Sequence, residues 1–299
     1  MKRFLFCLVG WLCMVGAPVH AQESEVGEEE VSAQASEEGE EQLVLPMGDS
    51  HPFLAIDDDA FLAFFGITGW GLAHWGWFTE PHHFQDEGGF SRNSSTGGAD
   101  KTGHFYMSYL LAEVMTARLK AQGYGSAEAG LWGAGAAMAV MTWLEVGDGT
   151  GPYGFSLEDL LADFLGVAVS WVRTQSPAVE GLIDFRMEYW PTPGALEGND
   201  LAADYSGMRH LLAVKLSGVP YIDRTPLHLL DLHFGYYTRG WRTFDEEALK
   251  ENPTRSLYAG VGVNLAEVLK GNVPKAVSVP FHYYQVPAVR FEVANKTWD

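Results

Sequence analysis

The sequence predicts an α+β chain, with a helical region of about four apolar helices over residues 51–176 and a small antiparallel β-rich part over 177–299. Three observations carry this. Apolar blocks up to about residue 175 keep a helical period between glycine-rich breaks, and after Pro177 the period shortens to two. The chain is also rich in Trp, Tyr, Phe and Gly, enough to build a substantial core over the roughly 250 residues that follow its N-terminal tail.

Residues 1–21 run from Lys2 and Arg3 through an apolar stretch to Val19-His20-Ala21, the pattern of a secretory signal peptide cleaved after Ala21. Export is therefore expected. Cys7 and Cys13 both lie in that leader, so the mature chain has no thiol for a disulfide, a nucleophile or a metal. Neither follows the small residue that a lipoprotein cleavage box requires, which argues against lipid anchoring. The net charge is −20, and removing Lys2 and Arg3 takes it to −22, which disfavours nucleic acid and anionic membrane patches as partners. Much of that excess sits in residues 22–50, read as a disordered acidic tail because its Glu, Ser, Gln and Gly run cannot bury enough apolar surface.

The first apolar block, residues 60–78, holds no formally charged side chain and is just long enough to cross a bilayer as a helix. Its four glycines and His74 equally suit a buried helix, and both readings stay open. Residues 79–99, with His82, His83 and several glycines, read as an exposed loop. A second helix is expected from Asp100 to a glycine cap at Gly123, a third over 129–144 and a fourth over 156–174. Alternation then marks strands over 230–237, 257–265 and 289–293. Three or four strands fall short of the roughly eight that a membrane barrel needs, so a sheet packed on the helices is expected.

The polar residues inside these apolar helices are the site-like feature. Lys101, His104 and Ser108 fall three and four apart on one helix face, and Glu113 lies half a turn from His104. Asp100 reads equally as a helix cap, Lys101 as a snorkelling side chain and His104 as a satisfied core histidine. Ser156 and Asp159 fit a helix-start capping arrangement. Asp163 does not, and a carboxylate on so apolar a segment needs a partner, either Lys101 or His104. Glu145 is expected to face inward and Asp148 to sit in a solvated Gly-rich turn. His104, Glu145 and Asp159 are of the types that bind one divalent Zn, Mn or Fe ion, although no spaced metal signature occurs. No Gly-x-Ser-x-Gly elbow supports a serine hydrolase.

Asp100-Lys101-x-x-His104 with Ser108-Tyr109, Glu145-x-x-Asp148-Gly, and Phe155-Ser156-x-x-Asp159-Leu with Gly166 together resemble the YfiM-type family of predicted periplasmic lipoproteins and, at greater distance, VanZ-type membrane proteins. The resemblance covers about residues 98–172. Tyr205-Ser-Gly-Met-Arg209, His233-Phe-Gly-Tyr236 and Arg255-x-x-Tyr258-x-Gly look like the C-terminal part of longer members. Two departures stand out: the lipoprotein cysteine is missing, and Asp163 replaces the Asn of the VanZ-like pattern. The resemblance implies an envelope location and a helical domain built around Lys101, His104, Glu145, Ser156 and Asp159, without supplying a reaction.

The expected function is thus that of an exported protein of the Gram-negative envelope, periplasmic or associated with a membrane such as the outer membrane, without catalysis or cofactor. An envelope lipid or a membrane protein is the expected partner. The alternative is a hydrolase of an envelope lipid or glycan, using Lys101, His104, Glu145 and Asp159 as acid, base or metal ligands.

Overall fold

The computed structural model describes residues 57–91, 93–198, 201–241 and 253–299. The expected leader, Cys7, Cys13 and the acidic tail lie outside the described residues. The first helix, α1 (Asp57–Trp70), runs into a π turn at Gly71–Trp75 and stops where Gly76 turns left-handed at φ 66°. Residues 60–78 are therefore not one continuous helix. Among the described residues, the helix that has the length and apolarity to cross a membrane is instead α3 (Ser126–Asp148), and half of its apolar window is buried inside the molecule.

Three long helices, α2 (Ala99–Ala121), α3 and α4 (Leu157–Gln175), pack against one another. Small residues set how closely. A Cβ on Gly166 would lie 2.1 Å from Ser108 Oγ and 2.2 Å from the Phe105 carbonyl, so α4 rests directly on the α2 backbone. Ala112, Met115, Ala137, Val140 and Val167 fill the space between the three helices. The boundaries follow local chemistry: Gly98 at φ 87° precedes α2, and Gly123 at φ 93° follows it. Ser156 caps α4 by accepting from the Asp159 N–H at 3.2 Å. Residues 129–144 proved too short for α3, because Gly147 and Asp148 stay helical and the turn begins only at Gly149. The loop before α2 is exposed only in its first part, since Ser94, Thr96 and Ala99 are buried.

A short helix, α5 (Pro177–Leu182), leads into five strands: β1 (Ile183–Tyr189), β2 (Met208–Lys215), β3 (Leu230–Arg239), β4 (Thr254–Val263) and β5 (Arg290–Trp298). They form one antiparallel meander in chain order. The expected three or four strands become five because β1 and β2 were not seen; Asp184, Arg186 and Glu188 alternate with apolar residues there, yet it is the charged set that is buried. Leu265 begins a short helix capped by Asn264 rather than ending β4.

The sheet curls into a cup. Arg290 on β5 pairs with Glu188 on β1, so the first and last strands meet through their inward side chains. Gly235 and Gly262 make this curl possible: a Cβ on Gly262 would lie 2.1 Å from His233 Cε1, and one on Gly235 2.4 Å from the Tyr258 ring. Within the cup Arg186 reaches Asp231 at 2.7 Å and Asp184 at 3.1 Å, and Lys215 reaches Asp184 at 2.6 Å. The convex face is apolar. Helix α2 covers its β1–β2 side through Phe105 and Tyr109 on Phe185, with ring centroids 5.1 and 5.4 Å apart. Phe234, Leu257, Phe291 and Val293 on the remaining strands stay exposed.

Candidate functional site

The three long helices converge on a buried polar centre. Helix α2 supplies Asp100, Lys101 and His104, α3 supplies Glu145, and α4 supplies Asp159 and Asp163. Glu87 reaches in from the loop before α2, and Tyr205, between β1 and β2, donates its hydroxyl to Asp100. Helical spacing explains the first group, since residues 100, 101 and 104 share a face with the α3 and α4 neighbours that the small residues admit. Glu87 lies outside any helical period and gave no sequence signal, and Tyr205 was marked only by the Tyr205-Ser-Gly-Met-Arg209 resemblance, with nothing to link it to this centre.

Two halves meet at His104. Lys101 Nζ lies 2.6 Å from Asp159 and 3.0 Å from Asp100, and also pairs with Glu87, so an ammonium already serves those three carboxylates. His104 Nε2 faces that half at 3.9 Å from both Asp100 and Asp159. Its Nδ1 faces the other half, 3.3 Å from Asp163 and 3.6 Å from Glu145. Glu145 Oε2 accepts the Ser156 N–H at 3.0 Å, while its buried Oε1 has no hydrogen-bond partner. Glu145 and Asp159 thus address opposite ring nitrogens, and the carboxylates that could join His104 in holding a metal fall into two sets, Asp100 with Asp159 and Glu145 with Asp163.

Five carboxylates face one lysine and one imidazole with little access to water, and their proton affinities diverge accordingly. Burial pushes Glu145 up to about 9 despite the opposing charge of His104. Burial raises Glu87 to about 7, and raises Asp159 and Asp163 as well. Asp100 goes the other way: burial is outweighed by His104, Lys101 and the Tyr205 hydroxyl, which hold it below the usual carboxylate range. His104 is itself held well above its ordinary value, because Asp159 and Asp163 overcome its burial. Chemically the centre is an acid–base pair with excess negative charge, able to hold protons or a cation.

Three residues depart from expectation. Ser108 donates to the Phe105 carbonyl at 3.1 Å against Gly166 and does not line the centre. Asp148 is not solvated; it accepts from the Trp77 indole at 2.6 Å, and burial raises it to about 6. Asp100 does not cap α2, a position that Gly98 takes. Asp163 has His104 as its partner, and exposed His82 remains outside the centre. A second buried network escaped the sequence reading altogether: Arg173 joins Glu113 to Asp184 at the junction of helices and sheet.

The family described as predicted periplasmic lipoprotein (DUF2279) matches residues 86–175. The matched segment contains the whole helical part of the centre, from Glu87 to Asp163, and none of the sheet. No curated protein and no solved structure matches the chain. The family description is that of an exported protein of the periplasm or envelope of a Gram-negative bacterium, the location expected from residues 1–21.

Proposed function

We propose that the protein is a membrane-associated member of that envelope class, of the YfiM type and with VanZ-like character in its helical part, which holds a polar centre inside a lipid-contacting shell. The observation that carries this is inverted polarity. Helix α4 buries Asp159, Asp163, Ser170 and Arg173 and exposes Leu161, Phe164, Leu165 and Val172. The sheet repeats the inversion, with Asp184, Arg186, Asp231 and His233 buried while Phe234 is 51% and Phe291 73% exposed. In water such a distribution wastes both apolar area and ion desolvation; against acyl chains it satisfies both. Lipid is the occupant rather than one protein partner because the inversion occurs on helix and sheet alike.

The test uses the mature chain, whose cysteines are removed with the leader. Phe164→Cys, Phe234→Cys and Phe291→Cys, each carrying an environment-sensitive dye, are mixed with neutral vesicles whose acyl chains bear a quencher, with exposed Glu128→Cys as reference. Quenching at the three apolar positions and not at 128 is the expected result. No quenching, with dye emission that depends on protein concentration, would mean that a second copy covers these faces.

The second reading, a hydrolase of an envelope lipid or glycan, is favoured by one observation. Glu145, pushed up to about 9, keeps a proton at neutral pH beside the basic imidazole of His104, an arrangement suited to acid–base work. Lys101 and Asp159 would then balance charge. Hydrolysis of an envelope phospholipid or peptidoglycan fragment by wild type and not by His104→Ala would support it.

A further inference from the structure

The two halves of the polar centre are not equivalent, and the difference selects one of them. On the Nε2 side of His104 the carboxylates of Asp100 and Asp159 already share the Lys101 ammonium. A second cation there would have to displace a buried one. On the Nδ1 side Glu145 and Asp163 have no lysine or arginine within ion-pair reach among the described residues, and His104 is their shared neighbour.

Distances on that side are long for hydrogen bonds. Nδ1 lies 3.3 and 3.4 Å from the two Asp163 oxygens and 3.6 Å from Glu145 Oε1, whereas an imidazolium bound to a carboxylate closes to about 2.7–2.9 Å. Ligand atoms about 2.1 Å from a common ion are instead separated by about 3.0–3.4 Å, the edge of a tetrahedron or octahedron. The orphan oxygen is the independent sign: Glu145 is 1% exposed, its Oε2 is fixed by the Ser156 N–H, and its Oε1 points at His104 with no hydrogen-bond partner. A carboxylate locked by one oxygen with the other bare is how a metal ligand is preset.

We propose that His104 Nδ1, Glu145 Oε1 and Asp163 form a site for one divalent transition-metal ion, of the Zn or Mn class. A neutral imidazole and two carboxylates cancel the charge of a divalent ion, so the ion would take the place of the protons that otherwise neutralise this buried group. Nε2–H then faces Asp100 and Asp159, each at 3.9 Å, beyond hydrogen-bond reach but near enough for their charge to favour the proton on that nitrogen. This ligand set replaces Asp159 by Asp163 relative to the set read from the sequence. It does not depend on lipid contact, since it uses only groups inside the helices.

The experiment measures Zn2+ and Mn2+ binding to the untagged mature chain by competition with a chelating dye, and Co2+ as a visible-absorbing substitute for Zn2+. Wild type is expected to bind one equivalent, with a rise in Tm. Asp159→Asn should lose up to about tenfold in affinity, as a residue that favours the proton on Nε2, whereas Glu145→Gln and Asp163→Asn should lose a hundredfold or more. Because either variant could unfold the chain, each is first compared with wild type by circular dichroism in metal-free buffer, where Glu145→Gln is expected to be at least as stable. Failure of wild type to bind any of the three ions overturns the site. So does a stoichiometric ion that Glu145→Gln and Asp163→Asn retain, which would place it elsewhere, for example at His82 and His83.

Discussion

His233 shows how far a single residue can be carried by its surroundings. It is fully buried in the cup of the sheet, neither ring nitrogen has a hydrogen-bond partner among the described residues, and the ring fills the space that a Cβ on Gly262 of the neighbouring strand would need. Burial and then the neighbouring Arg186 and Arg290 push it down to about 3, while Asp231 nearby is raised by burial to about 6. The unfolded chain therefore takes up the histidine proton first, near pH 6.5. Stability contributed by neutral His233 is complete above that pH and is lost as pH falls toward about 3, at up to about 1.4 kcal/mol per unit. Asp231 acts oppositely, binding its proton earlier when folded, so the absolute curve mixes the two. The difference between wild type and His233→Gln isolates the histidine. Urea midpoints at pH 7, 6, 5 and 4 should show wild type losing its advantage over the variant with each step downward; a constant gap would show that the folded cup accepts the proton.

Helix α4 is the element on which fold and site depend together. Its cap at Ser156 sets the phase that turns Asp159 and Asp163 toward His104, and Gly166 lets it approach α2 closely enough for them to reach. Gly166→Ala would drive a methyl group into Ser108 Oγ and the Phe105 carbonyl, at an expected cost of about 1–3 kcal/mol, and would move both aspartates. Gly103→Ala on α2 meets no atom within 4 Å and should instead add about 0.5–1 kcal/mol. Thermal unfolding of the two variants checks both signs; equal effects would mean that the α2–α4 approach is looser than described. The helices were legible because each announces itself locally, by Ser156, by Gly123 and by period 3.6. So was the inward turn of Glu145, Asp159 and Asp163, since a carboxylate among leucines has to find a partner. What was not legible depended on distant chain. Glu87 and Tyr205 enter from loops, and β1 hides because Asp184, Arg186 and Glu188 alternate correctly for a strand but sit on the face usually given to apolar residues.

At the scale of the whole molecule, helix α4 and the sheet each gather ionic groups on their inner side and display apolar ones on the other, so in the proposed contact with lipid the attraction would not come from charge. The chain carries −20, and among the described residues it is the exposed aromatic and aliphatic side chains that would supply the proposed attraction toward lipid. The free edge of β5 limits how deep the sheet can go. Its backbone N–H and C=O groups have no strand partner among the described residues, and in hydrocarbon they would stay unsatisfied, so under the proposed lipid contact that edge would face the headgroups. The β1 edge is covered, since Met187 exchanges backbone hydrogen bonds of 2.9 and 3.0 Å with Tyr283 and Gln285. Binding of this kind has a definite salt signature. Co-flotation of the mature protein with neutral phosphatidylcholine vesicles should persist or increase when sodium sulfate is raised to about 0.5 M, because that salt strengthens apolar burial. Adding anionic lipid should weaken flotation at low salt, by repulsion, and salt should then restore it as screening shortens the range of that repulsion to a few ångströms. Release of the protein from either vesicle by salt would mean that a cationic patch, not the apolar shell, makes the contact.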